Sequence, residues 1–125
     1  MWKLDSARST LAANQRNVTL RIEPHTRGEV FTLDTVAADG RASTSSTILY
    51  FDGKPRAFQD SGCSGTQSSR RVDSRTVEIL RECVSGGHRQ LIRRSAAKPG
   101  VLILDISEQH PNGRCSEQRL VLEKQ

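Results

Sequence analysis

The chain has 125 residues, which is enough for one ordinary domain over residues 1–125 and too few for a second core. Leu, Ile, Val and Phe make up 28 of these residues, just above the level at which charged chains tend to stay disordered, so the core is expected to be thin. No apolar run approaches the ~18 residues that span a bilayer. The net charge is +5, with 15 Arg and only 4 Lys, and this predominance of Arg favours bidentate contacts with carboxylate or phosphate groups.

The chain begins with a short β-prone segment, Trp2–Leu4, and the only helix candidate follows it. That helix would run from Asp5 to Asn14, with Asp5 or Ser6 as its N-cap. The opening residues lack the apolar stretch that a secretion signal carries. A secreted or periplasmic location is therefore expected only if a leader has been removed.

From Asn17 onward, turn signals recur at short and even intervals. Examples are Ala38-Asp39-Gly40-Arg41 and Pro111-Asn112-Gly113. Between the turns, apolar and polar residues alternate, as they do from Leu102 to Ile106. Evenly spaced turns between short alternating segments are typical of an antiparallel sandwich or barrel.

The predicted strands are, in chain order, Trp2–Leu4, Asn17–Pro24, Glu29–Ala37, Ala42–Phe51, Pro55–Gln59, Gln67–Asp73, Thr76–Val84, His88–Ala96, Val101–Gln109 and Arg114–Glu123. The two shortest would be extensions of a closed eight-stranded ring, and Asp60–Ser69 is predicted to be the longest loop. An up-and-down order without long crossovers closes most simply as a barrel, because closure removes the edge strands. We therefore predict an all-β fold, an antiparallel up-and-down barrel of about eight to ten strands with one short N-terminal helix.

Seven short motifs lie along nearly the whole chain. They are Trp2-Lys3-Leu4-Asp5, Ala7-Arg8-Ser9, Ala38-Asp39-Gly40-Arg41, Tyr50-Phe51-Asp52-Gly53-Lys54, Arg70-Arg71-Val72-Asp73, Thr76-Val77-Glu78-Ile79 and Glu123-Lys124-Gln125. Together they resemble small bacterial lipocalin-like (calycin-type) β-barrel proteins of uncharacterised function. The resemblance implies a lipocalin-like barrel and a habit of binding small molecules, although a fold does not carry a function with it. It also implies that Trp2 plugs one end of the barrel, covered by Arg119 from the last strand.

An arginine-rich hairpin around Asp73 offers a first candidate site. If Asp73 lies opposite Thr76, Arg71 faces Glu78 on the outer surface as a solvated ion pair. The residues that this register places on the inner face are Val72, Val77, Ile79, Arg70 and Arg81.

Arg70, Arg81 and Tyr50 are the ligand-binding residues predicted from this hairpin and the neighbouring strand. Two guanidinium groups and a phenol would hold a carboxylate or phosphate head, while aliphatic walls take an apolar tail. The alternative is structural: each arginine head reaches water at the barrel mouth, or pairs with Glu82 or Asp105.

A second cluster is expected at one rim of the barrel, where alternate loops meet. Its members are Cys63, Cys83, His88, His110 and Cys115. Thiolates and imidazoles that approach in space can bind zinc, but the short CxxC or HxxxH steps of a specific metal motif are missing, so no metal is predicted. A disulfide between Cys63 and Cys83 would form in an oxidising compartment; otherwise the rim holds three unpaired thiols and two solvated histidines.

Several functional classes are not expected. Arg93 and Arg94 add to a basic region, but aromatic and basic residues are not interleaved as in nucleic-acid stacking platforms, so nucleic acid is an unlikely partner. There is no Gly-x-Ser-x-Gly elbow, no phosphate-binding glycine loop and no HExxH motif. The sequence therefore predicts neither an enzyme nor a cofactor.

Two functional hypotheses remain. The first is a non-enzymatic binder of a small apolar or amphipathic anionic ligand, held inside the barrel. The second is a structural or protein-interaction barrel without a ligand, its interior filled by Phe31, Leu33, Leu102, Leu104, Ile106 and Leu122. The unfilled volume of the interior discriminates between them.

Overall fold

The computed structural model describes residues 1–5, 9, 15–37, 39–60, 63–84 and 87–125, and their regular structure is all β. The strands are β1 (Trp2–Leu4), β2 (Gln15–His25), β3 (Gly28–Ala37), β4 (Ala42–Leu49), β5 (Arg56–Asp60), β6 (Cys63–Arg71), β7 (Thr76–Cys83), β8 (His88–Lys98), β9 (Val101–Gln109) and β10 (Cys115–Lys124). The helix predicted from Asp5 to Asn14 falls mostly on residues outside this description, and no helix is seen within it. A helix of the length and apolarity that a bilayer crossing needs is likewise not found in the described residues.

The ten strands form one antiparallel sheet in the order β4-β3-β2-β1-β10-β9-β8-β7-β6-β5. Strands that are joined by a hairpin pair with each other, so the predicted up-and-down order is confirmed. The sheet curls into a half-barrel. Strands β4 and β5 form its two edges, and no backbone pairing joins them in the described residues.

The connection from β4 to β5 explains why the predicted ring is not closed by backbone hydrogen bonds. Phe51 adopts a left-handed conformation, with φ of 59°, which turns the chain away from β4. The backbone N–H groups of Phe51 and Gly53 then donate to the side chain and the carbonyl of Ser69 on β6, at 3.1 and 2.8 Å. The chain therefore leaves β4 to bind β6, and the two edge strands do not pair with each other in the described residues.

A packed apolar core occupies the concave face of the sheet. Its buried members are Val18, Leu20, Phe31, Leu49, Val77, Ile79, Ile92, Leu102, Leu104, Ile106, Leu120 and Leu122, with Trp2, Leu4, Ile22, Leu33 and Phe51 packed against them. Alternation along each strand explains this set, because every second side chain faces inward. The predicted inward faces of β2 and β9 are confirmed by the complete burial of Leu20 and Leu104.

The register between β6 and β7 differs from the predicted one by a single residue. Arg71 lies opposite Val77 and Arg70 opposite Glu78. The turn includes Val72, whose N–H donates to the carbonyl of Thr76 at 2.9 Å. The last residue of β6 in the ladder is therefore Arg71 and not Val72. Since strand side chains alternate, the shift moves Arg70 to the outer face and Arg71 to the inner face. Val72, predicted to face inward, is 47% exposed.

The predicted long loop over Asp60–Ser69 is also wrong. Strand β5 continues to Asp60 and β6 begins at Cys63, so most of this Ser- and Gly-rich stretch belongs to the sheet. Gly65 has a structural reason: a Cβ atom at this position would lie 1.9 Å from the carbonyl oxygen of Glu82. A glycine here permits the close approach of β6 and β7. In the sequence, the Ser and Gly residues around it indicated a loop instead.

Candidate functional site

The inner face of the sheet changes from apolar to polar towards the end where the β3–β4, β7–β8 and β9–β10 hairpins turn. Arg81, Gln90 and Glu108 continue the inward positions of β7, β8 and β9 beyond the core. Thr35 and Ser43 do the same on β3 and β4. The concave face of the sheet therefore has two parts, an apolar half that contains the core and a polar half near these hairpins.

A hydrogen-bonded network crosses the polar half. Arg81, only 8% exposed, donates from Nε to Gln67 Oε1 at 2.9 Å and from Nη1 to Gln90 Oε1 at 3.2 Å. Gln90 Nε2 donates to Glu108 Oε1 at 2.8 Å, and Gln67 Nε2 to Thr47 Oγ1 at 2.9 Å. The guanidinium also lies 4.6 Å above the ring of Phe58. These contacts hold a buried cation in one geometry and link β4 with β9 through the interior.

A cleft of about 610 Å³ opens beside this network, and we name it the rim cleft. The described residues that line it are Thr35, Ala37, Arg41, Ala42, Ser43, Ile106, Glu108, Ser116, Glu117 and Gln118. Its volume falls within the usual range for small-molecule sites. Glu108 belongs both to the cleft and to the Arg81 network, so a ligand that contacts its carboxylate also acts on the network.

His110 stands next to the rim cleft. Its Nε2 atom lies 3.2 Å from Ser116 Oγ and 3.8 Å from Glu108 Oε2. The ring of His88 stacks on it with 6.4 Å between centroids. The prediction that the loops bearing these two histidines meet at one rim is therefore confirmed.

The cysteines at this rim have different states. Cys83 is disulfide-bonded and buried, whereas Cys115 is a free, exposed thiol. The side chain of Cys63 lies outside the described residues, and with it the predicted Cys63–Cys83 pairing. Among the residues that are described, no group of three or more His, Cys, Asp or Glu side chains is arranged to hold a metal ion.

The structure does not bring the predicted ligand-binding residues Arg70, Arg81 and Tyr50 together. Arg81 is buried on the inner face, as expected from the alternation. Arg70 points outward, where its Nε and Nη2 atoms donate to Glu78 Oε1 at 3.0 and 2.6 Å. Tyr50 lies in the β4–β5 connection, with the Arg56 guanidinium 3.9 Å above its ring. The one-residue register shift separates Arg70 from the other two.

Arg119 does not cover Trp2. Trp2 packs against the apolar core on the concave face. Arg119 lies on the opposite face, since it alternates with the buried Leu120, and its Nε donates to Asp105 Oδ1 at 2.7 Å. The role that the family resemblance gave to Arg119 is therefore not the one it has in this chain.

Arg94 is an interior residue that the sequence analysis missed by assigning it to a basic surface. It is 7% exposed, and its Nη2 donates to Glu29 Oε2 at 2.8 Å, across the interior from β8 to β3. Arg71 approaches the other Glu29 oxygen at 3.9 Å. Nη1 of Arg94 is buried and has no hydrogen-bond partner within the described part of the chain. Its position two residues after Ile92 was the signal, because strand residues two apart share a face.

A row of alternating charges crosses the outer face of five neighbouring strands. It runs from Arg70 through Glu78, Arg93 and Asp105 to Arg119, each opposite the next in the ladder. Glu78 accepts hydrogen bonds from Arg70 and, at 2.8 Å, from Arg93 Nη2. The Arg93 and Arg70 guanidinium groups hold the pKa of Glu78 below its usual range. The ion pair predicted between Arg71 and Glu78 is thus formed by Arg70 instead.

Neither a protein-family profile nor a curated protein sequence matches this chain.

Proposed function

We propose that this protein is a non-enzymatic binding protein that holds a small polar or amphipathic molecule in the rim cleft. The observation that carries the proposal is the division of the concave face. One half is filled by side chains, and the other leaves a cleft of about 610 Å³ beside a buried polar network. An unfilled volume lined by hydrogen-bonding groups is what a small-molecule site requires.

The apolar half does not offer room for a long hydrocarbon tail. Phe31, Leu104 and Leu122 are buried there with almost no exposed surface. A tail would have to displace well-packed side chains, which costs several kcal/mol. The ligand is therefore confined to the polar half, where Ile106, Ala37 and Ala42 give it only a short apolar contact.

The lining determines the chemistry of the ligand. Hydroxyl-bearing residues in the lining are Thr35, Ser43 and Ser116, and carboxylates come from Glu108 and Glu117. A hydroxyl group both donates and accepts, whereas a carboxylate only accepts. We therefore expect a ligand with hydroxyl or amine donors facing Glu108. An anionic head is not part of this proposal, because the Glu108 and Glu117 carboxylates line the cleft and would repel it, and the lining guanidinium of Arg41 lies 3.6 Å from its own partner, Asp39.

The second candidate function is a structural or protein-interaction role without a ligand. The burial of Phe31, Leu102, Leu104, Ile106 and Leu122 in one cluster, with Leu33 packed against it, supports this role. The resemblance to lipocalin-like proteins stays a prediction and is compatible with both roles.

Native mass spectrometry of the purified protein tests the two functions, because a bound metabolite adds mass that denaturation removes. Ser43→Trp would fill the cleft from its concave side, and Thr44→Trp places the same ring on the outer face of the same strand. We expect the added mass to disappear in Ser43→Trp and to persist in Thr44→Trp. If no added mass is found and a set of polar metabolites leaves Tm unchanged, the structural role is correct.

A further inference from the structure

The gap between the two edge strands contains a second cleft, separate from the rim cleft. It has a volume of about 310 Å³, and we name it the seam cleft. The described residues that line it are Ser46, Thr47, Ile48, Tyr50, Lys54, Arg56, Ala57, Gln67 and Ser69. It exists because the connection after Leu49 binds β6, so that β4 and β5 do not pair with each other in the described residues.

The seam cleft carries a surplus of positive charge. Arg56 forms a two-point ion pair with Asp52, with Nη1 to Oδ1 at 2.8 Å and Nη2 to Oδ2 at 2.6 Å. The Asp52 carboxylate also accepts the backbone N–H of Lys54 at 3.0 Å. The Lys54 ammonium group forms no ion pair with any residue that the structure describes, so its charge is not balanced within the cleft.

The Arg56 guanidinium is held in position by contacts within the protein. The Arg56 guanidinium is held by Asp52 on one edge and lies 3.9 Å above the Tyr50 ring, which is the geometry of a cation–π contact. A guanidinium has five N–H donors, and the ion pair with Asp52 uses two of them. The remaining donors keep their direction, because rotation would break both contacts.

Polar groups surround these cations. Ser46 and Ser69 line the same cleft. Ser69 Oγ is fixed by accepting the Phe51 N–H, and Ser46 Oγ shares a hydrogen bond with Thr32 Oγ1 at 3.0 Å. A hydroxyl that accepts one hydrogen bond still has its own proton to donate. A cleft with an ammonium group, guanidinium N–H groups and hydroxyls suits an oxygen-rich anion.

We propose that the seam cleft binds a small oxyanion, the phosphate or carboxylate group of a small molecule, through Lys54, Arg56 and the Tyr50, Ser46 and Ser69 hydroxyls. This inference does not depend on the rim cleft, which has different lining residues. Either site can fail without the other.

Backbone amide NMR titrations test the proposal, with inorganic phosphate in one arm and acetate in the other, both at constant ionic strength against sodium chloride. We expect saturable shifts centred on Ser46, Lys54 and Ser69 in at least one arm. Binding in only one arm identifies the oxyanion class. No saturable shift at the seam in either arm overturns the proposal.

Two lysine variants with the same change in net charge provide the matched comparison. Lys54→Gln removes the unbalanced cation, and Lys98→Gln removes an exposed lysine at the end of β8. We expect Lys54→Gln to weaken binding by about fivefold or more and Lys98→Gln by less than about twofold. Equal weakening in both would show that only net charge matters and would refute the site. Lys54→Arg should restore binding, which separates loss of charge from loss of fold.

Discussion

Glu78 is the most buried residue in the row of alternating charges on the outer face, and its replacement by Gln gives the sharpest test of that row. Glu78 is 8% exposed, and its carboxylate accepts three hydrogen bonds, two from Arg70 and one from Arg93. Glu78→Gln keeps the size of the side chain. It removes the charge and leaves one amide oxygen to face two guanidinium groups.

The magnitude follows from the exposure of the partners. A hydrogen bond to a charged group contributes about 1.5–3 kcal/mol in folded proteins, but Arg70 and Arg93 are more than half exposed and can be rehydrated when Glu78 is lost. We therefore expect the free energy of unfolding to fall by about 2 kcal/mol in total, rather than by the sum of three such bonds. Tm should fall by about 6–10 °C for a domain of this size.

Urea unfolding of wild type, Glu78→Gln and Glu82→Gln measures this difference. Glu82 lies on the same outer face of β7, with its nearest guanidinium atom, Arg89 Nη2, at 3.6 Å and both side chains more than half exposed. Its replacement should cost less than about 0.5 kcal/mol. Equal losses in the two variants would refute the reasoning, because burial of the carboxylate would then not matter.

The pH dependence gives a second check on Glu78. Because its pKa is lowered in the folded state, its contribution is fully present above the ordinary glutamate pKa of about 4.3. It is lost as the pH falls through the lower pKa of the folded protein. The stability difference between wild type and Glu78→Gln should therefore be constant near neutrality and shrink in acid.

Three further predictions concern the backbone, the interior and the thiols. Gly65→Ala should lower the free energy of unfolding by more than about 3 kcal/mol, because its Cβ would overlap the Glu82 carbonyl; Gly113→Ala, which has open space but a positive φ, should cost only about 1 kcal/mol in the same urea experiment. Arg94→Gln should cost about 2–4 kcal/mol, since it breaks an ion pair inside the half-barrel, whereas Arg89→Gln at the surface should stay below about 1 kcal/mol; similar values for both would contradict the interior placement. Thiol titration of the denatured, unreduced protein should find one reactive thiol, Cys115, because a disulfide takes two of the three cysteines; three reactive thiols would exclude the disulfide.

Much of the fold could be predicted because the signals are local. Alternation in β2 and β9 and the turn residues between strands identify antiparallel hairpins without knowledge of distant contacts. The strand limits at Thr76 and Val101 match the predicted ones. Where the local signal misleads, as at Gly65, the cause is a close approach between two strands that only the folded sheet contains.

The candidate sites were less accessible to prediction. Arg81 was correctly placed inside, because it shares a face with Ile79. Arg70 was misplaced, because a single extra residue in the turn before Thr76 reverses the faces of the preceding strand. The rim cleft and the seam cleft join residues from strands far apart along the chain, and no spacing in the sequence marks them.

The sequence by itself determined the strand order and the inward faces of strands such as β2 and β9, since each hairpin forms between neighbouring segments whose alternation must match. Tertiary structure decided the rest. It set the half-barrel edges at β4 and β5, because the Phe51 turn binds β6. It also paired Arg94 with Glu29, 65 residues away, because curling brings β3 and β8 face to face across the interior. The thin core expected from 28 large apolar residues fills only one half of that interior. The rim cleft lies in the polar half, and the seam cleft shares Thr47 and Gln67 with the polar network.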